Sequence, residues 1–173
     1  MSGQDQTSQD QLQHRLEFEE LITDTSAALV SCRPNDLDAV IEDILDRVRI
    51  FFGADRCALL TGGVDAGTSR VHLASFGPGV DPVPPEVDLV PSFPWSFDRL
   101  FRQGKSIRIS NIDELPPEAA PELESWKQLP IRSALSLPLR IDGVVNHVIL
   151  LNTVHRERDW PDAFVKRLRA LGE

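Results

Sequence analysis

Four histidines and two cysteines are the side chains of this 173-residue chain best suited to hold a metal or attack a substrate, and their spacing brings none of them together. No two of His14, His72, His147 and His155 stand at ligand spacing, and Cys32 and Cys57 form no C-x-x-C pair. The chain also lacks a Gly-rich phosphate loop, an H-E-x-x-H and a G-x-S-x-G. His155-Arg156-Glu157 matches the H-x-E half of a zinc deaminase signature, but no P-C-x-x-C follows it. A lone imidazole such as His72 or His147 can ligate haem, yet a histidine in a strand is more often half-buried and hydrogen-bonded, so haem is not supported. The two cysteines read as reduced packing residues. No catalytic residue and no metal site are expected; a redox enzyme using Cys57 is the weaker alternative.

Composition narrows the partners. The net charge is -9, which repels phosphate backbones and leaves no basic patch, so direct nucleic-acid contact is not expected. No apolar run approaches the roughly 20 residues that cross a bilayer, and Met1 to Gln11 lacks the basic-then-apolar order of a signal peptide. A cytoplasmic location without membrane insertion is the expectation. Charge is uneven: Glu17, Glu19, Glu20 and Asp24 gather near the start, whereas Arg156, Arg158, Lys166, Arg167 and Arg169 gather near the end. Such blocks mark solvated helix faces that can also pair with each other.

Elements must position whatever site exists. Residues 1–11 are polar enough to be a disordered tail, and 12–173 read as one domain cut from a longer signalling protein. Leu12, Leu16, Phe18, Leu21, Ile22, Ala28, Leu29 and Cys32 predict a long amphipathic helix that Pro34 interrupts. Asn35 is placed to cap a second helix carrying Leu37, Val40, Ile41, Ile44, Leu45 and Val48, ended by Gly53. Period-two patterns at Arg56 to Leu60 and Val71 to Phe76 predict a hairpin. Six prolines between Pro78 and Pro94 forbid regular pairing and predict a segment that wraps the surface or lids a cavity. A short helix at Trp95 to Phe101, a strand at Ile107 and Ile109, and a helix around Trp126 follow. Asp142-Gly143 joins a second hairpin over Ser133 to Val154, with Pro138 at an edge or bulge. Asp159-Trp160-Pro161-Asp162 starts a last helix with Phe164, Val165, Leu168 and Leu171, which runs toward Glu173 without a clear terminator.

This order resembles a GAF domain. The resemblance rests on Leu45 to Val48 through Phe52 to Cys57, on Ser106 to Leu115, on Ile131-Arg132-Ser133-Ala134-Leu135-Ser136-Leu137-Pro138-Leu139, on Gly143 to Asn152, and on the charged turn Arg156 to Pro161. It implies an α+β fold related to PAS, with an antiparallel sheet of about six strands and the N- and C-terminal helices packed on one face. It also implies a sensor or regulatory module in signal transduction, of the kind associated with histidine kinases and two-component systems, with transcriptional activators as the next output. Covalent bilin attachment is not expected, because no cysteine follows Cys57. The N-K-x-D-E-type motif of cyclic-nucleotide binders is reproduced neither at Asn111 to Glu114 nor at Asn152 to Val154. Reductase members rely on several cysteines in the sheet region, unlike Cys32 and Cys57.

Two functional surfaces remain. Phe93, Trp95, Phe97 and Trp126, brought over the sheet, would wall an apolar small-molecule cavity with Arg108, Ser136 and Asn152 as polar anchors; the bland alternative is that these aromatics fill the core. Asn146-His147, where the family often has a small residue, would narrow or re-polarise that site. The stripe Leu16, Leu21, Ile22 and Leu29, with Phe164, Leu168 and Leu171, predicts a parallel homodimer through the terminal helices, with a ligand-free dimerisation module as the rival reading.

Overall fold

Alternation and helical periodicity sort this chain into two apolar layers, one on each face of a single antiparallel sheet. The computed structural model describes residues 2–172, with side chains from Ser8 onward. Helix α1 (Ser2–Ser31) leads through a 3-10 turn at Pro34–Asp36 into α2 (Leu37–Phe51). Strands β1 (Arg56–Gly63) and β2 (Thr68–Phe76) form the first hairpin, followed by a proline-rich segment over 77–93. The short α3 (Pro94–Phe97) runs into a wide π turn at Asp98–Arg102, and β3 (Ile107–Ile109) closes one edge of the sheet. After α4 (Leu123–Gln128), β4 (Ser133–Ile141) and β5 (Val144–Thr153) make the second hairpin, and α5 (Asp162–Leu171) ends the described chain. Sheet order is β2-β1-β5-β4-β3.

Among the described residues the sheet has five strands where about six were expected. Residues 77–93, whose prolines offer no amide to a ladder, cross over the sheet as a lid. The 1–11 tail expected to be disordered is instead continuous with α1 from Ser2, because Gln, Asp and Ser tolerate a helix that an anchored C-terminal part has already nucleated. Ser8 to Gln13 are nonetheless exposed. Asn35 lies inside the 3-10 turn, so Asp36 rather than Asn35 precedes α2.

On the helix face, Phe52, Cys57, Leu135, Leu151, Trp160 and Leu168 are fully buried beneath α1, α2 and α5. Helix α1 reaches this layer through His14, Phe18, Leu21 and Thr25, spaced three and four apart; His14 stacks on Phe51 with ring centroids 4.6 Å apart, and Arg167 of α5 lies 5.4 Å from the Phe18 ring. The acidic start and basic end thus meet through a cation over an aromatic ring, while the ion pair leaving α1 goes to α2 (Asp24 to Arg47, 3.4 Å). Helix α2 is pinned to β2 because Asp46 accepts from Ser75 Oγ (2.6 Å) and Arg49 (2.8 Å). Gly53 ends α2 at φ +58°, and its carbonyl accepts from Arg158 (2.8 Å), whose guanidinium a Cβ at this position would strike. In the second hairpin Asp142 and Gly143 both take positive φ, the twist-matched two-residue turn. Pro138 pairs with Val148 of β5, beyond the short β3 and next to a bulge at Leu139/Arg140, so its missing amide deprives no neighbour.

Candidate functional site

The opposite face of the sheet is where side chains leave space. Period two places Arg56, Ala58 and Leu60 of β1 on this face, beside Leu150 and Asn152 of β5 and Ala134 and Ser136 of β4. Register aligns them in rows: Arg56, Asn152 and Ala134 stand abreast, as do Ala58, Leu150 and Ser136. Because Ala58, Ala134 and Ser136 are small, the floor is low in its middle. Larger residues arch over it: Phe93 and Leu89 from the lid, Phe97, Leu100 and Phe101 from α3 and the π turn, and Trp126 from α4. A cavity of about 90 Å³ is left between floor and arch. One water needs roughly 10–15 Å³ measured this way, so the space suits a short acyl chain or a single ring.

The arch is held by hydrogen bonds. Asp88 Oδ1 accepts from the Ser69 and Val90 amides (both 3.1 Å), and the Leu89 amide donates to the Ser69 carbonyl (2.7 Å), stitching the lid to β2. Those two amides hold the Asp88 carboxyl below its usual range, with a smaller contribution from Arg70. Glu122 is fully buried under the arch, accepting from the Ser96 amide (3.0 Å), Ser96 Oγ (2.5 Å) and Trp126 Nε1 (3.1 Å). A carboxylate accepting three donors fixes both the Trp126 ring and the start of α3.

Arg56 is the charged residue of the cavity wall. It is 5% exposed, its Nη1 reaches Asn152 Oδ1 at 3.4 Å, and its Nε has no partner. The guanidinium sits 6.0 Å from the Phe76 ring. Among the described residues no carboxylate forms an ion pair with it. Burial pushes its pKa down, opposed by the more distant Asp55 and Asp81.

The expected site residues divide. Phe97, Trp126, Ser136 and Asn152 line the cavity, together with Phe93. Trp95 does not: it packs half-buried on the outside of the arch with Arg99 5.8 Å from its ring. Arg108 does not either, because Ile107 and Ile109 take the cavity side of β3 and send it to the helix face, where it pairs with Asp162 of α5. His147 likewise points to the helix face between Val148 and the exposed Asn146, and burial, then the neighbouring His72, lower its pKa. Cys57 alternates with Arg56 and Ala58 and faces the helices, fully buried, its thiol pushed far above the usual range by desolvation. That is a packing environment and not a reactive one.

The expected dimer stripe divides too. Leu21 and Leu168 are buried within the chain, and Ile22, Phe164 and Leu171 pack against the same layer. Leu16 and Leu29 remain exposed, with Leu12 and Val30.

The model of one protein family, described as GAF domain, matches residues 36–173. No curated protein matches in sequence. Among solved structures, the PixJ GAF domain of Thermosynechococcus elongatus in its blue-light absorbing form is 19% identical, with a TM-score of 0.66 over 80% of this chain and 82% of that one. The phycocyanobilin-bound GAF domain of a cyanobacterial phytochrome is 14% identical, with a TM-score of 0.71 over 88% and 87%. The chromophore-binding domain of Stigmatella aurantiaca bacteriophytochrome is 20% identical, with a TM-score of 0.72 over 91% of this chain and 58% of that longer one.

Proposed function

Since the chain belongs to the GAF family by the match over residues 36–173, we propose that it is a non-catalytic sensory or regulatory domain that holds a small molecule and relays its presence to an output domain such as a histidine kinase. The observation that carries this reading is the cavity between a floor of small residues and an arch held by its own hydrogen bonds. Walls this far apart forgo contacts with one another that a close-packed core would make, and contacts with a bound small molecule offset that cost. The relay follows from the sheet's thinness. Arg56 and Asn152 touch the cavity, while their chain neighbours Cys57 and Leu151 are buried against the helices, so a shift of the floor reaches the α1, α2 and α5 layer across one strand thickness.

One similar structure is phycocyanobilin-bound, but here no cysteine follows Cys57 to hold a covalent bilin and the cavity measures about 90 Å³. The proposed occupant is therefore smaller and non-covalently bound. A homodimer through α1 is part of the same proposal, favoured by exposed Leu12, Leu16, Leu29 and Val30. Those four residues are also what favours the second reading, a dimerisation module that needs no ligand.

Trp126 reports on the cavity directly. Titration with a panel of neutral and anionic single-ring compounds is expected to change tryptophan emission saturably, and Trp126→Phe to remove that change. Ala58→Leu, which raises the floor, is expected to abolish it with the fold intact by circular dichroism. Absence of any saturable response across the panel would overturn the ligand reading in favour of the dimerisation module.

A further inference from the structure

Resting on the proposed ligand-binding role, we infer that the cavity selects a small monocarboxylate with an apolar body, such as a short-chain or single-ring acid, and that Arg56 is the residue that binds its carboxylate. Three observations converge on this class. The first is a buried cation on the cavity wall with no ion-pair partner among the described residues and an Nε without any hydrogen bond. A desolvated charge is ordinarily paired, and a planar guanidinium offers its donors in the fork that a carboxylate matches. The second is company: Asn152 stands directly opposite Arg56 across the β1–β5 pair, and Ser136 lies on the adjacent row, so further polar groups border the same end of the floor.

The third is what surrounds the rest of the space. Phe97, Leu100, Phe101 and Trp126 present hydrocarbon, which suits an apolar tail and offers nothing to a second charge. Glu122, buried under the arch, already has three donors and adds no cation to the site, while Asp55 and Asp81 act on Arg56 from farther off without forming an ion pair with it. One guanidinium and about 90 Å³ thus fit one negative charge on a small body. A phosphate dianion would be left half compensated: no glycine-rich loop lines the site, and in the one turn of α3 that does, Pro94 has no amide while the Ser96 and Phe97 amides already donate to Glu122 and to the Phe93 carbonyl.

Isothermal titration calorimetry on the whole chain with matched pairs tests this without any variant: butyrate against butyramide, and benzoate against benzamide. Each pair keeps the shape and changes the charge. The acids are expected to bind at least about tenfold more tightly than their amides, as charge-assisted hydrogen bonds exceed neutral ones. In Arg56→Met the acid-over-amide ratio is expected to fall to about one while amide binding persists, and Arg56→Lys is expected to restore part of the ratio. Amides binding as well as acids to the unaltered protein would overturn the inference and leave the cavity reading standing. Phenyl phosphate binding as tightly as benzoate would overturn the assignment to carboxylates. Binding of neither acid nor amide would overturn both the inference and the ligand reading on which it rests.

Discussion

Arg56 and Glu122 are two ionisable groups buried under the same arch, and their surroundings give them opposite tasks. Glu122 accepts three hydrogen bonds and carries structure. Glu122→Ala would leave those donors unmet in a dry place, so a loss of about 3 kcal/mol in urea unfolding is expected, with Glu122→Gln costing less because it keeps one acceptor oxygen. Equal stability of Glu122→Ala and the unaltered chain would contradict the described network. Arg56 lacks comparable satisfaction. The sequence reading passed over it, and alternation was the signal that could have found it: Arg56, Ala58 and Leu60 share one face of β1, so a charged residue there must face whatever covers the sheet. Arg108 was misassigned for the same reason in reverse, since its face follows from Ile107 and Ile109. Trp95 and Trp126 look alike as aromatic residues in short helices. Only Trp126 has a buried acceptor to turn its ring inward, Glu122 four residues earlier, and that i, i+4 pair is a local signal which the reading of the aromatic residues alone passed over.

At the scale of elements, the lid is the part most sensitive to conditions. Its anchor is Asp88, whose carboxyl is held below the usual range by the Ser69 and Val90 amides. A depressed folded-state pKa contributes stability that is full above about pH 4 and is lost as the pH falls through the lowered value. Hydrogen exchange of the Leu89 and Val90 amides should accordingly be slow at neutral pH, and lid opening should become easier on acidification before the helix-face core responds. Asp88→Ala is expected to speed exchange in 88–93 by about tenfold at neutral pH, consistent with losing two charge-assisted bonds, with little change in β4 and β5. Uniform change across both hairpins would show that the lid is not a separate unit. Both hairpins and the helices around them were readable because period two, turn residues and apolar spacing are local properties. The lid was read as either wrap or cover, because six prolines exclude pairing without saying where the chain then lies.

For the molecule as a whole, the sheet separates a layer packed by helices from a layer that contains the cavity. The helix face buries Phe52, Leu135, Leu151, Trp160 and Leu168 completely, and truncation there should be costly: Leu168→Ala is expected to lose about 3 kcal/mol. Helix α1 uses one stripe for this layer and leaves Leu12, Leu16, Leu29 and Val30 outside; the sequence merged Leu12, Leu16 and Leu29 with the buried stripe because they are apolar at near-helical intervals. If those residues pair two copies, Leu16→Glu with Val30→Glu should convert a dimer to a monomer in sedimentation velocity while leaving the melting temperature of the folded domain nearly unchanged. A dimer that persists in the double variant would place the interface elsewhere.

The ligand reading concerns the other layer, and native mass spectrometry of the protein purified without additions, compared with its denatured mass, tests it most directly. The expected result is a non-covalent increment of one small molecule per chain, lost on denaturation and absent from Ala58→Leu. Bare chains that also remain bare after incubation with benzoate and benzamide would contradict it.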